Sequence, residues 1–125
     1  MTIAFWCVLA AAVMPYILGI AAKTSKPKYD NAQPRNFLNS LEGWGERANW
    51  AHQNSLEAFP FFAAAVVIAS MIGKINPATL DLLAIGFIVA RVLYAFCYIA
   101  NQASLRSLVW CAGLSCCISM LVLSA

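Results

Sequence analysis

The chain has 125 residues, of which 62% are hydrophobic and only 10% charged, with a formal net charge of +3. A soluble domain carries roughly 25% charged residues to cover its surface, so a soluble globule is excluded and much of the apolar surface must face lipid. The length allows one domain, and the excess of cations is a loop asymmetry, described below, that calls for no nucleic-acid partner.

Taken in chain order, the first block, Met1 to Ala22, has no charged side chain. Its N-terminus lacks Lys and Arg, and its apolar run exceeds the ~7–15 residues of a secretory signal core. We read it as a retained helix. The connection from Lys23 to Glu46 holds Pro27, Pro34, Asn31, Asn36, Asn39, Gly43 and Gly45, all turn formers, and Phe37 and Trp44 suit headgroup depth. The second apolar block, Ala58 to Gly73, is too short for the roughly 20 residues of a spanning helix, so that helix extends backwards into the polar stretch beginning at Arg47. Pro60 inside it predicts a kink near Leu56. A short connection, Gly73-Lys74-Ile75-Asn76-Pro77, leads to the third block, Leu82 to Ala100, with one charge, Arg91. Asp81 sits at its start, where a carboxylate suits the helix dipole. The fourth block, Ser107 to Ala125, is uncharged.

Blocks this long and without alternation are helices and not barrel strands, because backbone polar groups in lipid must be satisfied within the segment. The expected fold is all-α: an up-down bundle of four transmembrane helices at 2–22, 47–73, 79–100 and 105–124. Lys23, Lys26, Lys28, Arg35 and Arg47 mark the first connection and Arg106 the third, against Lys74 alone in the second. By the positive-inside rule the first and third connections are cytoplasmic and both termini are not. A bacterial inner membrane is the expected location. The five cysteines fall inside the spans without metal-site spacing and read as small packing residues. His52 is a lone histidine without a ligand set, so no metal site is expected.

The chemistry concentrates on two helix faces. At about 100° per residue, Arg47, Trp50, Asn54 and Glu57 share one face of the second span, with His52 on the opposite side. Arg91, Tyr94, Tyr98 and Asn101 repeat that spacing on the third. A charge at a helix centre costs ~2.5–3.5 kcal/mol on insertion scales, so Glu57 and Arg91 need partners. They either pair with each other as packing, or converge with the other polar groups on a cleft near the cytoplasmic boundary.

The run Ala51-His52-Gln53-Asn54-Ser55-Leu56-Glu57-Ala58-Phe59-Pro60, with Arg91, Tyr94 and Tyr98 downstream, resembles the MAPEG family, membrane-associated proteins of eicosanoid and glutathione metabolism, in a bacterial-type form. The resemblance spans nearly the whole chain. It implies a homotrimer that binds glutathione as co-substrate between subunits near the cytoplasmic face. Carried over by position, Asn54 and Glu57 would contact the peptide and its amino group. Arg91 would meet a carboxylate or steady Glu57, and Tyr94 and Tyr98 would donate hydrogen bonds. Arg47 would stand in for a family arginine whose place is taken here by Trp50. Arg106 would lie beside the thiol and favour its ionisation, acting as the catalytic residue. The implied activity is that of a glutathione-dependent transferase or peroxidase on a lipophilic small molecule from the bilayer. A non-enzymatic accessory or lipid-binding subunit on the same scaffold is the alternative. A small multidrug transporter is set aside, since that family relies on a glutamate in its first helix and Met1–Ala22 has no acid.

Overall fold

The computed structural model describes all of residues 1–125. Five helices follow in order: α1 (Ile3–Thr24), α2 (Pro34–Asn39), α3 (Gly43–Ile72), α4 (Pro77–Ile99) and α5 (Ala103–Val122), and there are no strands. Four of them, all but α2, are long and apolar enough to cross a membrane. The all-helical, four-span architecture expected from the sequence is therefore present. The short α2 in the first connection was not expected. Pro34 starts it, as proline suits a first helical turn, and Phe37 is buried against Ala22, Leu41 and Ala48.

The helices begin and end where local chemistry stops or starts them. The side chain of Thr2 accepts from the Phe5 amide at the start of α1, and Asn76 accepts from Ala78 before Pro77 of α4. Gly73 closes α3 in the left-handed conformation, φ 70°. Helix α3 starts at Gly43, four residues before Arg47, and runs without interruption past Pro60 to Ile72. Its 30 residues extend about 45 Å at 1.5 Å each, well beyond the ~30 Å of hydrocarbon. The length beyond one crossing corresponds to the polar first turns of α3, which carry Trp50 and lead into Asn54.

Helices α3 and α4 form the middle of the bundle, with α1 against one side of the pair and α5 against the other. Packing relies on small residues. Ala4, Ala11, Ala65, Ala69 and Ala84 are buried with Phe62, Val66, Phe87, Cys117 and Met120, and Phe62 stacks on Phe87 with centroids 3.9 Å apart. Alanine lets helices approach closely where lipid supplies no hydrophobic drive. Asp81 accepts from the backbone amide of Ala4 at 2.8 Å, tying the start of α4 to the start of α1. At the opposite end Arg47 reaches Ile99. The first and third connections thus share one end of the bundle, and both termini share the other with the second connection.

Candidate functional site

Arg91 is the centre of the polar cluster. It lies eight residues before the end of α4, is only 5% exposed, and its charge is held by neutral groups of α3. Nη1 donates to Asn54 Oδ1 and Nη2 donates to Ser55 Oγ, each at 2.9 Å. Its guanidinium also sits 4.3 Å from the centroid of the Tyr94 ring, one turn on. Of the two arrangements open from the sequence, a closed Glu57–Arg91 packing pair is not the one adopted. Glu57 stays exposed, and its one hydrogen bond is a long 3.5 Å contact from Asn54 Nδ2.

A column of aromatic rings with a cation at each end continues toward the connections. Tyr94 meets Tyr98 edge to face at 5.6 Å, Tyr98 lies 6.1 Å from Trp50, and the Arg106 guanidinium lies 4.3 Å over the Tyr98 ring. Each cation–ring contact is worth about 0.5–2 kcal/mol, more as water is excluded. Trp50, Gln53, Asn54, Glu57, Tyr94 and Tyr98 line one cavity of about 340 Å³ between α3 and α4. Deeper, Asn54, Glu57 and Arg91 recur at the polar end of a second cleft, of about 210 Å³, whose remaining walls are apolar residues of α3, α4 and α5.

Over this arrangement the comparison with known families is decisive: a model of the MAPEG family matches residues 3–125. The chain belongs to the MAPEG family. It is therefore a membrane protein of the family of eicosanoid and glutathione metabolism. Comparison with curated proteins returns no match.

Most of the residues that the MAPEG resemblance singled out come together. Asn54, Glu57, Tyr94 and Tyr98 wall one cavity, Arg91 donates to Asn54 behind that wall, and Arg106 lies over the Tyr98 ring. Arg47 does not join them. Its Nε donates to the Ile99 carbonyl at 2.9 Å, a cation at the C-terminus of α4 where the last carbonyls lack partners. Asn101, read as the last tooth of the α4 comb, lies past the helix end in a left-handed turn, φ 58°. His52 points the other way, as expected: Nδ1 donates to the Pro15 carbonyl of α1, and the ring packs on Gly19.

Two contributions were missed in the sequence. Ser55 is the buried partner of Arg91, and nothing in its spacing sets it apart from other small residues. The apolar cleft draws on α5, which carries no polar stripe to announce it.

Proposed function

We propose that the protein is a glutathione-dependent transferase or peroxidase acting on lipophilic electrophiles. The observation that carries this reading is the convergence of Asn54, Glu57, Tyr94 and Tyr98 on one cavity beside the buried cation Arg91. Its volume falls at the lower end of the ~300–1,000 Å³ of small-molecule sites. Its donor set suits a zwitterionic peptide. Glu57 offers a carboxylate to an amino group, while the phenols of Tyr94 and Tyr98 offer hydrogen bonds to carbonyls or carboxylates. Arg106, which lies over the Tyr98 ring, is the cation we assign to act on the thiol. A thiol of pKa ~8.5 reacts as thiolate, and a nearby guanidinium in a poorly hydrated place favours that form. In this reading the subunits assemble as a homotrimer, the first and third connections face the cytoplasm, and the second substrate arrives through the bilayer.

Calorimetry with glutathione on the detergent-purified protein is the test. Saturable binding is expected, and no heat of binding would defeat the proposal. Where binding is seen, Arg106→Ala should remove most of the thiolate absorbance of the complex while His52→Ala leaves it unchanged. The rival reading, a non-enzymatic subunit on the same scaffold, draws on Arg106 sitting 4.3 Å over the Tyr98 ring, a contact that holds the cation without any thiol. Unchanged thiolate absorbance in Arg106→Ala would favour it.

A further inference from the structure

A cavity of about 300 Å³ opens where three helix ends meet, and it shares no lining residue with the peptide cavity. Ser25 closes α1, Ser40 closes α2 and Glu42 precedes α3. With Lys26 and Leu41 these residues form its walls, polar apart from Leu41. We infer that this cavity holds the head of a zwitterionic phospholipid bearing a primary amine, with the lipid phosphate on Lys26 and the ammonium on Glu42.

The hydrogen bonds already made within the chain select that class. Ser25 Oγ donates to the Ala22 carbonyl at 2.6 Å, and Ser40 Oγ donates to that of Phe37 at 2.7 Å. Both hydroxyl protons are thus committed, and toward the cavity these groups are acceptors. Lys26 donates to Ser40 Oγ at 3.2 Å and lies 5.9 Å from the Phe37 ring centroid, contacts that hold its ammonium in place. An ammonium has three N–H donors, and Lys26 is exposed. Glu42 is the N-cap of α3, yet its side chain makes no capping bond, and it too is exposed. The cavity therefore presents a cationic donor and an anionic acceptor, with Lys26 bonded to Ser40 in place of Glu42. A head carrying a phosphate and a primary ammonium a few bonds apart answers both. A purely anionic head would set its charge against Glu42, and a quaternary ammonium has no N–H to give a carboxylate.

Depth in the bilayer makes the source a lipid. The 22 residues of α1 extend about 33 Å at 1.5 Å each, close to the ~30 Å of hydrocarbon. Ser25 and Lys26, which follow directly, mark the membrane boundary. Trp44, two residues past Glu42, is exposed, and tryptophan favours that same level. On the α1 turns toward the bilayer centre, Ile17 and Ile20 are exposed and offer an apolar surface to acyl chains.

The test is native mass spectrometry of the detergent-purified protein titrated with dioleoyl phosphatidylethanolamine, phosphatidylcholine and phosphatidylglycerol, which share their acyl chains. The ethanolamine lipid is expected to bind at least fivefold tighter than either of the others. Glu42→Gln should bring the ethanolamine and choline lipids within twofold of each other, and Lys26→Gln should weaken the ethanolamine lipid fivefold or more. Both positions are exposed, so the variants keep the fold. Equal binding of the ethanolamine and choline lipids, tighter binding of the glycerol lipid, or a preference that survives both substitutions would overturn the inference. Soluble O-phosphoethanolamine at the lipid's concentration should not displace it; displacement would assign the cavity to a free zwitterion. Displacement by glutathione would make the cavity part of the peptide site, and would equally remove the lipid.

Discussion

A buried guanidinium held only by neutral partners is the residue on which the site depends. Taking one ion out of water costs several kcal/mol even after relaxation, and in Arg91 that cost is offset by Asn54, Ser55 and the face of Tyr94. Hydrogen bonds to charged groups are worth about 1.5–3 kcal/mol each. Ser55→Ala should therefore lower stability by about 2 kcal/mol, and Arg91→Ala, which strands both partners, by about 3 kcal/mol or more. Reversible unfolding in mixed micelles measures both, and a neutral Ser55→Ala would mean that Arg91 is held mainly by Asn54 and Tyr94. Arg47 behaves differently. Since it caps α4 through the Ile99 carbonyl, Arg47→Ala should cost about 1 kcal/mol of stability and leave glutathione affinity within twofold by calorimetry. A tenfold loss of affinity would return Arg47 to the binding site.

At the scale of the elements, the seam between α1 and α3 shows how residues that look like turn formers become helix. Gly43 and Gly45 read as part of the first connection, yet Gly45 is buried inside the first turn of α3. A Cβ on Gly45 would stand 1.9 Å from Ser25 Oγ and 2.5 Å from its Cβ, so glycine is required by the close approach of the end of α1. Gly45→Ala should destabilise by about 1–3 kcal/mol through overpacking, and adding Ser25→Gly should recover most of it. If the double variant is no more stable than the single, the contact is not what demands glycine. The helix therefore begins earlier than its hydrophobic pattern, since packing against α1 makes up for weak local propensity. The first connection is ordered for similar reasons. Tyr29 meets Phe37 edge to face at 5.1 Å, and Lys26 Nζ donates to Ser40 Oγ at 3.2 Å, so what reads as a loop carries α2 and a small core of its own.

For the whole molecule, the expected orientation is open to a direct check. On a cysteine-free background, Lys28→Cys and Lys74→Cys place one thiol at each end of the bundle, both at exposed positions. In sealed spheroplasts, where only the non-cytoplasmic face is accessible, an impermeant maleimide should label position 74 and spare 28. The opposite pattern would reverse the orientation and put the peptide cavity on the other face of the membrane.

Composition and block length alone were enough for the membrane, the four helices and their connectivity, because a bilayer leaves a chain so few ways to satisfy its backbone. Helical periodicity was also enough to place Asn54 with Glu57 and Arg91 with Tyr94 and Tyr98, since each pair or trio lies on one helix. Which faces meet was decided only in three dimensions. Periodicity fixes angles about one axis and says nothing of rotation against a neighbour, so Arg91 found Ser55 and not Glu57, Arg47 went to the end of α4, and a cleft opened against the featureless α5.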